Sequence, residues 1–259
     1  MRKLLASFLI LAAAGIARAD EWHQQYKVTA KPTVTIDCGD GNVDVVTGSA
    51  AQVDASVTTE GYTIGPDGVR IEANQSGNHV DIVIKVPHEH FSFGRHSIRV
   101  ELKVPSESDL DLHTSDGNVS IASVKGSERI RTGDGNVTAR GLDGTLSATS
   151  GDGNINVDGR FDQLDLRSGD GEIEADARTG SKMAMGWSLS SGDGNITLRV
   201  PDGFGADLDA HTGDGRVTVD FPVTMSGSMR EGTVRGKLNG GGSILTMHSG
   251  DGNLRLGRS

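Results

Sequence analysis

The chain has 259 residues, a formal net charge of −10, 37 glycines, one cysteine and only 4% aromatic residues. The acidic balance argues against nucleic acid or an anionic membrane as partner, and a single cysteine excludes an internal disulfide. Glycine at about twice its usual share, with few large apolar side chains, suits a thin, turn-rich solenoid better than a packed globule.

Residues 1–19 read as an export signal. Arg2 and Lys3 form a basic start, Leu4 to Ile16 an apolar run, and Ala17-Arg18-Ala19 a small-x-small cleavage site, so the mature chain is expected to begin at Asp20. The apolar run is about 13 residues where a membrane span needs roughly 20, and no later segment is apolar enough to span. Cys38 lies far past the signal and lacks the apolar context of a lipid-attachment site. The expectation is a soluble exported monomer without a transmembrane segment, in a periplasm or outside the cell. Residues 1–19 hold three basic residues and no acid, so the mature net charge is −13. That balance suits cations, basic partners or neutral glycans.

Between Asp20 and Pro105 the pattern is irregular. Strands are expected at Val53–Val57, Val69–Ala73, Val80–Val86 and Ile98–Val104, two of them ending in Val-Pro at Pro87 and Pro105. Proline at a strand end removes a ladder donor. The 76 residues from Asp40 to Asp116 are expected to make about four coils without the motif described next, with some antiparallel pairing and a capping role.

From residue 106 the chain repeats. Gly-Asp-Gly-Asn or a near copy centres on Asp40, Asp116, Asp134, Asp152, Asp170, Asp193, Asp214 and Asp251, with an 18-residue period from Asp116 to Asp170. An aliphatic–polar–aliphatic triplet follows each copy, as in Val119-Ser120-Ile121 and Ile155-Asn156-Val157. A second strand leads into each turn, as in Leu110-x-Leu112 and Leu164-x-Leu166, followed by Ser or Thr; Cys38 takes that slot in the first copy. Period-2 alternation marks strands with one buried face. Two short strands and two corners then make one coil, and coils stack about 4.8 Å apart so that equivalent residues form ladders. The motif glycines are expected at positive φ, and Asp and Asn are expected to bond their own turn. The interval widens to 23 residues before Asp193 and to 37 before Asp251, the latter read as two coils, the second degenerate around Val234–Gly242. The fold class is therefore all-β, a single-domain β-solenoid over 20–259, irregular over 20–105 and regular over 106–259.

The export signal, the Val-Pro strand ends, the Ser/Thr-Gly-Asp-Gly-Asn repeats and the closing Asn239-Gly240-Gly241-Gly242-Ser243 together resemble the bacterial β-strand-repeat family known as putative adhesins, a domain of unknown function. The resemblance covers nearly the whole mature chain. It implies a right-handed parallel β-helix of the cell envelope, and bears on location more than on activity. It brings no functional residues with it. The expected role, read from the whole chain, is a non-catalytic binding or structural module with an envelope, glycan or protein ligand.

Two metal chemistries arise from the residues. A row of stacked carboxylates at Asp116, Asp134, Asp152, Asp170 and Asp193 places like charges about 5 Å apart, a arrangement calcium could neutralise. Against it, the calcium-binding nonapeptide of RTX proteins requires Asp where this chain has Val43, and the alternative is that each Asp caps its own turn. His88, His90 and His96 cluster after Pro87 and could chelate zinc or copper. With Glu89, Phe91 and Phe93 the same loop is the candidate ligand-binding segment, since a long loop on a rigid scaffold is a natural binding site. His113, His211 and His248 share one outward repeat position, with His211 and His248 expected two coils and about 10 Å apart. No nucleophile elbow, zinc-protease helix or phosphate loop is present, so no catalytic residues and no resident cofactor are expected, and a polysaccharide-acting enzyme is the remote alternative. The sequons at Asn118, Asn136 and Asn195 are by-products of the repeat.

Overall fold

The alternation of one apolar and one polar residue that runs through this chain produces the strands of an all-β structure. The computed structural model describes residues 19–86, 96–225 and 231–259, and no helix occurs among them. The regular part consists of β8 (Asp109–Thr114), β9 (Val119–Ala122), β10 (Lys125–Thr132), β11 (Val137–Ser150), β12 (Ile155–Ser168), β13 (Ile173–Ala177), β14 (Trp187–Ser191) and β15 (Ile196–Val200). They pair in parallel, level upon level. Leu110 lies beside Glu128, Glu128 beside Leu146 and Leu146 beside Leu164, while Val119 meets Val137, Val137 meets Ile155 and Ile155 meets Ile173. Every one of these steps is 18 residues. β11 and β12 run unbroken round the second corner, where the register shifts and Gly141 takes φ 63°.

Inside, Val, Ile, Leu and Ala from both strand sets form one buried core, closed near the far end by Trp187 against Phe161 and Phe204. Each coil buries its apolar face only because another coil lies above and below it.

At the corner the motif has a different physical basis from the one expected. None of its glycines has positive φ. They are glycines because backbone passes close to backbone: a Cβ on Gly153 would lie 2.0 Å from the Gly135 carbonyl oxygen, and one on Gly171 would lie 2.1 Å from that of Gly153. The preceding Ser or Thr points inward and is buried. Ser150 Oγ accepts from the Gly153 amide at 3.0 Å and donates to the Gly135 carbonyl of the neighbouring coil at 2.9 Å. Thr132, Ser168, Ser191, Thr212 and Ser249 repeat the arrangement. Each such bond contributes about 1 kcal/mol and, more importantly, leaves no buried polar group unpaired.

Both ends depart from simple stacking. β2 (Thr33–Cys38) and β3 (Asn42–Thr47) form a coil whose neighbours are β8 and β9 on one side, and β6 (His79–Lys85) and β7 (Ser97–Val104) on the other. The 76 residues between Asp40 and Asp116 therefore do not make four intervening coils. They make one outer coil, with antiparallel strands beyond it: β4 (Gln52–Glu60) on β7, β1 (Ala19–Lys27) on β4, and β5 (Arg70–Ser76) on β6.

At the other end the final coil, β20 (Ile244–Ser249) and β21 (Leu254–Arg258), is inserted between the β14/β15 coil and that of β16 (Ala206–Thr212) and β17 (Val217–Val219). The segment around Val234–Gly242 is not a degenerate coil. It contains β19 (Thr233–Leu238), which runs antiparallel to β16 and to β18 (Val223–Met225).

Replacing Gly153 by Ala drives a methyl into backbone that cannot yield and should cost about 3 kcal/mol or more. Gly39→Ala, whose Cβ would meet only Val86 Cγ2 at 3.1 Å, should cost clearly less. Urea unfolding of the two variants checks this, and equal losses would refute the close-approach explanation.

Candidate functional site

Insertion at both ends brings all eight motif turns into one uninterrupted row, in the order Asp40, Asp116, Asp134, Asp152, Asp170, Asp193, Asp251, Asp214. Backbone bonds stitch the turns together: the Asp152 amide donates to Gly133 at 3.3 Å, Asp193 to Gly169 at 3.2 Å, Asp251 to Gly192 at 3.3 Å and Asp214 to Gly250 at 3.1 Å. The eight carboxylates are exposed, and among the described residues none accepts a hydrogen bond or pairs with a cation. The expected Asp caps are absent; the buried Ser/Thr hydroxyl caps the turn instead.

Asn fills a second role, beside the Asp row. Asn42 Oδ1 accepts the Asn118 amide, Asn118 that of Asn136, and Asn136 that of Asn154, each at 2.9 Å. The ladder continues through Glu172, Asn195, Asn253 and Arg216. Among the described residues no group of three or more His, Cys, Asp or Glu is placed to hold a metal ion.

The loop residues His88, Glu89, His90, Phe91 and Phe93 lie outside the described residues. His96, at the loop's far side, packs on Tyr62 with ring centroids 4.6 Å apart. Tyr62 lines a groove of about 1170 Å³ together with Asp37, Asp40, Asp67, Arg70 and Lys85. These residues are distant in sequence and meet because the β2/β3 coil stacks directly on β6/β7. The 63–69 turn is held by Val69 N donating to Thr63 O at 2.9 Å and Gly65 N to Val69 O at 3.0 Å. Lys85 is tied to Glu72 at 2.7 Å, while Arg70, among the described residues, lines the same groove as the acids. The first Asp of the corner row thus opens into a concavity that combines acids, a guanidinium and a phenol.

Of the outward histidines, His113 sits between Asp37 and Arg131 in register. His211 and His248 are not two coils apart. They are register partners on β16 and β20, with rings stacked at 5.5 Å. They are adjacent because the last coil is inserted into the stack rather than appended to it.

Two groups are instructive about chemistry. Cys38 is buried, and burial pushes its thiol up to about 11, so it stays protonated at neutral pH and acts as a small packed side chain. Glu128 was missed by the pattern. It stands in the ladder position that Leu110 and Leu146 fill on either side, is 1% exposed, and among the described residues no other residue offers its carboxyl oxygens a hydrogen bond. The available signal was the strand entering the Asp134 turn, which reads Glu128-x-Ile130 instead of aliphatic-x-aliphatic.

Burial, followed by the neighbouring Asp109 charge, raises the Glu128 carboxyl from 4.5 to about 8. The native state keeps this proton to about pH 8, whereas the unfolded chain releases it above 4.5. Between those values the unfolded state binds fewer protons, so stability falls as pH rises and levels off beyond about 8. Glu128→Leu should remove this contribution, gaining on the order of a few kcal/mol at alkaline pH and little at pH 4.5. Urea midpoints of wild type and variant across pH 4–9 test this, and parallel profiles would contradict it.

The family model described as Toastrack DUF4097 matches residues 21–256. Among solved structures, a protein from Bacteroides fragilis described as a putative adhesin shares 16% identity over 92% of this chain and 97% of its own, with a TM-score of 0.48. One from Parabacteroides distasonis described as a putative lipid binding protein shares 17% over 92% and 98%, with a TM-score of 0.44. A putative cell adhesion protein from Clostridium sporogenes shares 13% over 93% and 100%, with a TM-score of 0.43. No curated protein matches the chain. No helix among the described residues is long and apolar enough to cross a membrane.

Proposed function

The chain belongs to the Toastrack DUF4097 family, and from that premise we propose that it is an exported, non-catalytic binding module of the cell envelope. In this reading the fold is a right-handed β-helix of about 18 residues per coil. Export rests on residues 1–19, with their basic start, apolar run and Ala-x-Ala end. The observation that carries the binding role is the groove beside Tyr62. A concave site with a few convergent polar groups is the usual form of a ligand pocket. Asp37, Asp40, Asp67 and Arg70 offer acceptors and donors to a hydroxyl-rich ligand, and Tyr62 offers an apolar face with a polar tip. That set suits an envelope glycan. The buried, protonated Cys38 supports a non-catalytic role, since it removes the one thiol from nucleophilic chemistry.

Replacing both Tyr62 and Arg70 by Ala, and separately deleting 88–96, should each weaken binding of purified protein to cell-envelope polysaccharide at least tenfold. The unfolding midpoint should hold in the double substitution. Affinity electrophoresis reads the first quantity and circular dichroism the second. Undiminished retardation by both variants would dismiss the groove.

The uninterrupted, bare Asp row favours one second reading, calcium association along that edge. Neighbouring carboxylates about 5 Å apart in water repel by about 1 kcal/mol or less, and salt screens the repulsion. Calcium should then raise the wild-type unfolding temperature above its value in EDTA, and Asp134→Asn, Asp152→Asn and Asp170→Asn together should abolish the rise. Differential scanning calorimetry decides; an unmoved wild-type midpoint leaves the row as a charged, solubilising edge.

A further inference from the structure

We propose that His211 and His248 form a two-imidazole clip for a borderline divalent transition-metal ion, copper(II), nickel(II) or zinc(II), which fastens the inserted C-terminal coil to its neighbour. The two residues are 37 apart in sequence and become register partners only because β20 enters the stack between β14 and β16. Along this outward row the side chains in stacking order are Asp37, His113, Arg131, Thr149, Arg167, Ser190, His248 and His211. Two imidazoles are adjacent at this one place. Their ring centroids are 5.5 Å apart and their planes differ by 21°. Both side chains are exposed.

The donor chemistry agrees with the geometry. His211 Nδ1 lies 2.9 Å from Thr233 Oγ1 on β19. With Nδ1–H donating to that hydroxyl, Nε2 carries the lone pair that would bind the ion, and the hydroxyl orients the ring as outer hydrogen-bond partners orient metal-binding histidines. Two nitrogens each 2.0–2.1 Å from one ion lie about 3 to 4 Å apart. From the observed stack, 5.5 Å between centroids, both exposed rings would tilt toward each other so that their in-plane lone pairs converge on one ion. Asp209, two residues before His211, is engaged by Arg235 Nε at 2.8 Å, so water completes the coordination. Two imidazoles and no carboxylate select copper, nickel or zinc, with copper strongest, over calcium or magnesium. The ion would bridge strands that meet only in the folded chain, so its binding stabilises the native state.

The test is titration of copper(II) chloride, then zinc(II) chloride, into the purified full chain, followed by calorimetry and, for copper, electron paramagnetic resonance. His211→Ala and His248→Ala should each weaken one equivalent of binding at least tenfold and remove nitrogen hyperfine structure from its spectrum. His113→Ala should change nothing. Metal should raise the wild-type unfolding midpoint and leave that of the double variant unmoved. Both positions are exposed, so the metal-free variants should unfold as wild type does; His211→Gln with His248→Gln replaces them if they do not. A double variant that takes up the same equivalents with the same affinity overturns the proposal, the ion then residing elsewhere, as on His88, His90 and His96.

Discussion

Backbone passing close over backbone at the Gly-Asp-Gly corner is the constraint to which the other features of this structure adapt. Carbonyl oxygens of one turn lie about where the next turn's Cβ would be, so the corner admits no side chain there. That proximity lets the amides of each turn reach the carbonyls of the one before, and it lets a single inward hydroxyl serve two coils at once. Ser150 bonds its own turn and its neighbour's carbonyl, and five equivalents do the same. The Asn ladder continues the stitching on the outside. With backbone and small polar groups holding the coils in register, the core needs only modest aliphatic side chains, which accounts for a chain so poor in aromatics.

Once the stack is held this way, its ends become the difficulty, because an exposed parallel edge invites further pairing. The chain answers similarly at both ends. It places antiparallel strands outside the last coil and threads a terminal coil one level inward. At the N-terminal end the β2/β3 coil lies within the β6/β7 coil; at the C-terminal end β20/β21 fills a level that the chain had skipped. Threading makes the Asp row continuous and also creates the groove beside Tyr62 and the His211–His248 pair. The features with most chemical character therefore sit where the stacking departs from simple succession.

Glu128 shows how much tolerance the scaffold has. A carboxyl buried in a leucine ladder is a local conflict that the surrounding core must offset. The ordered ladders on both sides, Leu110 and Leu146, keep the strand in place despite it.

How much was legible in the sequence depends on the range of the interaction. Period-2 alternation and the 18-residue recurrence are local, and they determined the strands, the coils and the inward and outward faces; β4 to β7 and the regular strands lie where the pattern puts them. The reason for the motif glycines was not legible, because close approach of two backbones and positive φ call for the same residue. Nor was the stacking order: a repeat specifies what each coil buries but not which coil is next, since every coil offers the same ladder to its neighbours. Tertiary structure alone decided that Asp40 stacks on Asp116, that β20 lies between β14 and β16, and hence that Tyr62 and Asp37 line one groove and His211 meets His248. Those contacts join segments tens of residues apart through interchangeable surfaces, and only closure of both ends selects among them.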